Sequence, residues 1–228
     1  MNLNVMRLLA VALSAALALM AFSGAAAQQD PAPIRAPITV EKIDFQDGKL
    51  IISGYQGDGC PYPIQIANQP QPAPDALVLD LYREIPANVF CTAVITPVTV
   101  EIPVKDGPKL LAVEANGFVA LFEEGRAIPV AADAIGVDRF RVVKDADSPS
   151  GYALEMTIIV DGCDFPYLVR QTRPSDTVTQ IVVGRAIRPN AACTMIARYL
   201  PLRVPLLEKG AGLTLFRVNS QAAFFNFR

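Results

Sequence analysis

The sequence predicts an all-β fold made of two tandem β-sandwich modules, with about seven short strands in each. Three observations predict it. Apolar residues alternate with polar ones at a period of two. Asp-Gly and Asn-Gly pairs separate the alternating runs. A set of residues in the first half of the chain returns in order in the second half, and each set contains two Cys.

The repeat comes first because it sets the boundaries. When Cys91 is laid on Cys193, Arg83 falls on Arg185, Ile85 on Ile187, Asn88 on Asn190, Thr92 on Thr194 and Pro103 on Pro205. With a one-residue shift, Asp58-Gly59-Cys60 falls on Asp161-Gly162-Cys163, Gly107 on Gly210 and Asn116 on Asn219. This places one module over 37–124 and the other over 130–228, with a short linker at 125–129 and a Pro-rich segment at 28–36.

Within each copy the strands follow from period two. Val98, Val100, Ile102 and Val104 alternate with Thr99, Glu101 and Pro103. Leu200, Leu202, Val204 and Leu206 alternate with Pro201, Arg203 and Pro205. One set faces inward and the other outward. Proline lacks the N–H that a ladder needs, so Pro103 and Pro205 predict an edge or a bulge. Leu77, Leu79 and Leu81 form a further stripe, matched by Ile181 and Val183. Asp47-Gly48, Asn116-Gly117 and, more weakly, Asn219-Ser220 predict tight hairpins, because these residues tolerate positive φ. A longer first hairpin is expected in copy two, through Asp145 to Gly151. In the last strand Phe225 and Phe227 share one face and Phe224 points the other way, into a domain or subunit contact or, as the matching Leu121-Phe122 favours, simply as the outward residue of an ordinary final strand.

The chain has 228 residues and begins as a targeting segment. Arg7 precedes an apolar stretch, Leu8 to Phe22, and Ala25-Ala26-Ala27 offers a small-x-small cleavage site. Residues 1–27 are therefore read as a signal peptide cut after Ala27, with retention as an anchor the alternative. Its loss removes Arg7 alone among the charges, leaving 19 basic and 22 acidic residues and a net charge of −3. That balance supplies no basic field for nucleic acid. No later apolar run is long enough for a helical membrane span. The expected location is secreted: extracellular, periplasmic or on the cell surface.

Cys60, Cys91, Cys163 and Cys193 form an even set in an exported chain, which suggests cystines. Four Cys allow three pairings. The repeat selects Cys60–Cys91 and Cys163–Cys193, one per copy, with sequence steps of 31 and 30 residues. Each Cys sits near a turn, so each bridge is expected at a sheet end rather than through a core.

An Asp-Gly-Cys turn, an alternating strand, an Arg- and Pro-containing run closed by Cys, another alternating strand and an Asn-Gly hairpin follow one another here. The residues are Asp58 to Cys60, Arg83 to Cys91 and Asn116-Gly117, and in copy two Asp161 to Cys163, Arg185 to Cys193 and Asn219. This order resembles a class of bacterial exported Ig-like domains. The resemblance implies an Ig-like sandwich and export. It implies no activity.

The chemistry-bearing residues are few. The chain has no His, which removes the usual general base and the Ser-His-Asp and Cys-His arrangements. No phosphate-binding or nucleophile-elbow motif is present. No catalytic residue, metal ligand or cofactor is predicted. Asp58 and Asp161 are candidate acids or calcium ligands, or simply turn residues before the cystine. Arg83 and Arg185 are candidate anion-binding forks, or scaffold residues bonded to loop carbonyls or an acidic neighbour. Ala67 to Pro74 reads as an extended, exposed stretch: a recognition loop or a stiff crossover. The expected function is a non-enzymatic structural or adhesive binding module, with envelope or extracellular proteins or glycans, including copies of itself, as partners. An inhibitor or accessory subunit presenting loops to an exported enzyme is the second reading. A carboxylate-based hydrolase is the third.

Overall fold

A computed structural model describes residues 31–104, 109–194 and 196–227. The predicted signal peptide, 1–27, and the repeat position Gly107 lie outside the described residues. The first half holds β1 (Ile34–Pro37), β2 (Thr39–Gln46), β3 (Lys49–Gln56), β4 (Ile64–Gln69), β5 (Ala76–Ile85), β6 (Thr96–Pro103), β7 (Leu110–Ala115), β8 (Phe118–Glu123) and β9 (Arg126–Ile128). The second holds β10 (Ala131–Ala134), β11 (Gly136–Lys144), β12 (Tyr152–Val160), β13 (Tyr167–Ser175), β14 (Val178–Ile187), β15 (Arg198–Pro205), β16 (Leu213–Val218) and β17 (Gln221–Asn226). The described residues contain no helix.

Four sheets result. A three-stranded sheet β2-β3-β6 faces a six-stranded sheet in which β5 joins β4, β1 and β7, and β8 and β9 follow β7. In the second half β11-β12-β15 faces a sheet in which β14 joins β13, β10 and β16, and β17 follows β16. The β5–β7 and β14–β16 pairs are parallel, a crossover that alternation alone does not reveal. The chain changes sheet at Ile38 and at Ile135, each buried between a four-residue strand (β1, β10) and a longer one (β2, β11).

The alternation turns out as the pattern demands. Val98, Val100 and Ile102 pack on the first-half core, while Pro97, Thr99, Glu101 and Pro103 face solvent. Leu200, Leu202, Val204 and Leu206 line the second core. Pro103 and Pro205 lie on β6 and β15, both edges of their sheets. Asp47, Asn116 and Asn219 have positive φ at their turns. Residues 125–129, read as a linker, hold β9, which pairs with the outer edge of β8. Likewise β1 begins inside the Pro-rich segment and pairs with β5.

The two hairpin Asn residues reach further than a turn requires. Asn116 Nδ2 donates to the carbonyls of Ile38 and Leu81, and its Oδ1 accepts from Leu81 N–H. Asn219 makes the same three bonds, donating to the carbonyls of Ile135 and Val183 and accepting from Val183 N–H. Each side chain ties the sheet-switch corner to the central strand, giving partners to the carbonyl of the switch residue and to the N–H of the strand residue beside it, whose own carbonyl also accepts from the switch N–H.

Each half has its own apolar cluster. A third cluster joins them: Ala76, Val78, Ala112 and Leu121 of the six-stranded sheet meet Leu168 and Ala186 of β13 and β14. The outward faces of the two larger sheets are therefore stacked, giving four layers in all. Small side chains at Ala76, Ala112 and Ala186 let the layers approach. Arg170 closes the seam, pairing with Glu114 and, at 2.7 Å, with Asp80. Gln69 donates to Gln171 O and accepts from Gln171 N–H, a two-bond strand-like link between halves. Gln71 makes the same pair of bonds to Val169.

Candidate functional site

The repeated residues assemble one corner in each half, where the β3–β4 and β5–β6 crossovers, and their counterparts β12–β13 and β14–β15, leave the sandwich. Arg83, near the end of β5, is 1% exposed and places Nη1 and Nη2 at 2.8 and 2.6 Å from the two oxygens of Asp58. Asp58 Oδ1 also accepts from Cys60 N–H at 3.0 Å. Arg83 adds a bond to Cys60 O. In the second half Arg185 reaches both oxygens of Asp161 at 2.7 Å, and Asp161 Oδ1 accepts from Cys163 N–H. The Arg83 and Arg185 forks, candidates for binding an external anion, are thus turned inward onto the chain's own Asp-Gly-Cys turns.

The rest of each corner is built around that turn. Cys60–Cys91 and Cys163–Cys193 are bonded, as the repeat selects. Gly59 N–H donates to Thr92 O at 2.9 Å and Gly162 N–H to Thr194 O at 3.0 Å. A Cβ on Gly59 would sit 2.5 Å from Thr92 Oγ1, so that hydroxyl would have to turn away, and one on Gly162 would come within 2.9 Å of Thr194 Cβ as well, which makes the second turn the tighter fit for glycine. Thr96 and Arg198 add side-chain bonds to the carbonyls of Asp58 and Asp161. Every sulfur within reach of these carboxylates is in a cystine, which leaves no thiolate for a metal.

The electrostatics follow the geometry. The Arg185 guanidinium and the Cys163 N–H hold the Asp161 carboxyl down at about 2. Arg83 lowers that of Asp58 in the same way. A general acid needs the opposite shift. Asp75, just before β5, does show an upward shift, caused by burial. One of its oxygens has no hydrogen-bond partner among the described residues.

The scaffold repeats, but what it carries does not. The first corner displays Val89, Phe90, Val94 and Ile95 on the loop between β5 and β6, with Phe90 fully exposed at 101%. Ala191 and Ala192 stand at the positions of Val89 and Phe90 in the second loop. The second loop is exposed as well, with Ile196 at 67% in the place of Val94, but it carries Ala192 where the first carries Phe90; beside it Phe165 packs into the joining cluster, and Arg188 pairs with Glu123 at 2.7 Å. What sets the first corner apart is a fully exposed aromatic next to the cystine, Phe90 beside Cys91.

The structure corrects the exposure expected for Ala67 to Pro74 and agrees with the crossover reading, since the stretch runs from the end of β4 toward β5. Gln69 is 2% exposed and Gln71 is bonded across the seam, so this stretch is a joint between halves and not an exposed loop. Phe90 is not singled out by the sequence pattern. The signal that finds it is the mismatch between Phe90 and Ala192 inside an otherwise repeated phrase. No family model, curated protein or solved structure matches the chain.

Proposed function

We propose that the chain is an exported, non-enzymatic binding protein made of two tandem Ig-like sandwich modules, and that its recognition element is the cystine-pinned loop around Phe90. The observation that carries this reading is an aromatic side chain held fully in water by a buried ion pair and a disulfide. Exposing a large apolar group is unfavourable unless a partner covers it, and a rigid loop loses little entropy on binding. Export is supported by the two cystines, which suit an oxidising compartment, and by the leader. Among the described residues no helix is long and apolar enough to cross a membrane. The depressed carboxyls of Asp58 and Asp161 weigh against the hydrolase reading.

The partner is an envelope or extracellular protein with an apolar groove that accepts Phe90. The test is saturable binding of the purified chain to the envelope fraction, compared with Phe90→Ser. A loss of about tenfold or more in affinity, with an unchanged melting curve, is expected. Equal binding by the variant would sink the assignment. An inhibitor presenting this same loop is the second reading, favoured if the captured protein is an enzyme whose turnover falls on binding.

A further inference from the structure

The outer edge of the second large sheet offers a self-complementary strand. Leu215 N–H donates to Thr177 O and Asn219 N–H to Ile181 O, both toward β14. The N–H groups of residues 214, 216 and 218 therefore face β17, and the backbone groups of Ala222, Phe224 and Asn226 face away from β16. In the first half the equivalent edge of β8 is occupied by β9, with Leu121 opposite Ile128 and Glu123 opposite Arg126. Among the described residues β17 pairs with β16 alone.

Two further features mark this edge. Gln221-Ala222-Ala223-Phe224-Phe225-Asn226 carries no charge and no proline. Edges that avoid association usually carry one or both, as β6 and β15 do with Pro97, Pro103, Pro201 and Pro205. In addition, Phe224 is 69% exposed and Leu213 59%, on the face whose first-half counterpart, Leu121, is fully buried against the other half.

We propose that β17 is a dimerisation strand and that its partner is β17 of a second copy, paired antiparallel about a two-fold axis through Phe224. Opposed residues in an antiparallel ladder share a face, so the register must set even residues against even. Placing Phe224 against its own copy sets Ala222 against Asn226 on both sides and uses every outward backbone group of the three residues. The rows across the seam then read Leu215–Phe224–Phe224–Leu215, a continuous apolar and aromatic ladder of the kind that stabilises strand pairs. Arg217 lies in a different row, which ends at Leu213 of the copy, so no like charges are opposed. An isologous contact of this kind closes as a dimer. It is independent of the role given to Phe90.

The test uses the full chain secreted from an expression host. Sedimentation at rising concentration should show a monomer–dimer equilibrium. Phe224→Glu and Ala222→Pro should each leave a folded monomer that melts as the wild type does at concentrations where the wild type is also monomeric, since the backbone groups of both residues face away from β16 and the Phe224 side chain lies on the exposed face. Phe224→Cys should form an intermolecular disulfide under mild oxidation, because Cα atoms in a hydrogen-bonded pair lie ~5.5 Å apart, within cystine range. A wild type that stays monomeric at about 100 μM, well above the range of a specific homodimer, would overturn the proposal. So would a dimer indifferent to both β17 variants, open-ended oligomers, or no cross-link through Cys at 224.

Discussion

Arg83 and Asp58 form a two-point ion pair with the guanidinium almost wholly buried, and Arg185 and Asp161 repeat it at matching distances in the other half. Each pair sits under a cystine and fixes the turn that the cystine joins. Replacing Arg83 by Met removes the counter-charge while keeping much of the volume. Asp58 is then left in a partly buried site with one backbone donor. Breaking a buried pair on one side is strongly destabilising, and the partial exposure of Asp58 tempers the cost to about 2–4 kcal/mol. Chemical denaturation should show the midpoint shift. The double variant Arg83→Met/Asp58→Asn should recover part of it.

The acid limb of stability is set by the same pairs. Both carboxyls have folded pKa values below their unfolded ones, so their stabilisation is complete above about pH 5 and is lost as pH falls toward 2. The melting temperature should be flat from about pH 7 to about pH 5 and then drop. Arg185→Met should blunt the drop. Asp75 has the reverse sign: burial raises its folded pKa, so its charged form opposes folding at neutral pH. Asp75→Asn should raise the melting temperature at about pH 7, with the gain vanishing below about pH 4.

Removing one cystine should leave the other in place. Cys60→Ser/Cys91→Ser opens a loop spanning 31 residues, and chain entropy puts the loss at about 3–4 kcal/mol. Peptide mapping should still find Cys163 joined to Cys193. A scrambled bond in a single Cys91→Ser variant, linking Cys60 to the second half, would contradict independent corners.

Arg170 is the charged keystone of the seam. Arg170→Ala strands Glu114, which is 7% exposed and would keep only its bond from Gly117 N–H. A loss of about 2–4 kcal/mol is expected. Hydrogen exchange should rise first at β13 and at the facing strands β5 and β7, before either half's own core opens.

Much of the candidate site was legible because it is local or repeated. The Asp-Gly-Cys turns, the Arg eight residues before each second Cys, and the bridge partners all follow from laying one copy on the other. The roles of Gln69, Gln71 and Arg170 were not legible. The Gln69–Gln71 stretch reads as a loop or crossover and Arg170 carries no signal in the sequence, and only the stacking of the two larger sheets supplies the groups they bond. The same holds for β9 and β1, which are too short for a periodicity signal and exist because a neighbouring edge is available to them.

The all-β character, the inward stripes, the hairpin turns and the choice of cystine partners could all be read along the chain. These depend on side-chain period, on φ preference and on the copy's internal spacing, all of which are written along the chain. Which faces stay wet was set by the packing of the halves on each other. Leu121 and Phe224 occupy equivalent strand positions, yet one is sealed and the other open, because burial of an outward face depends on what another part of the chain lays over it.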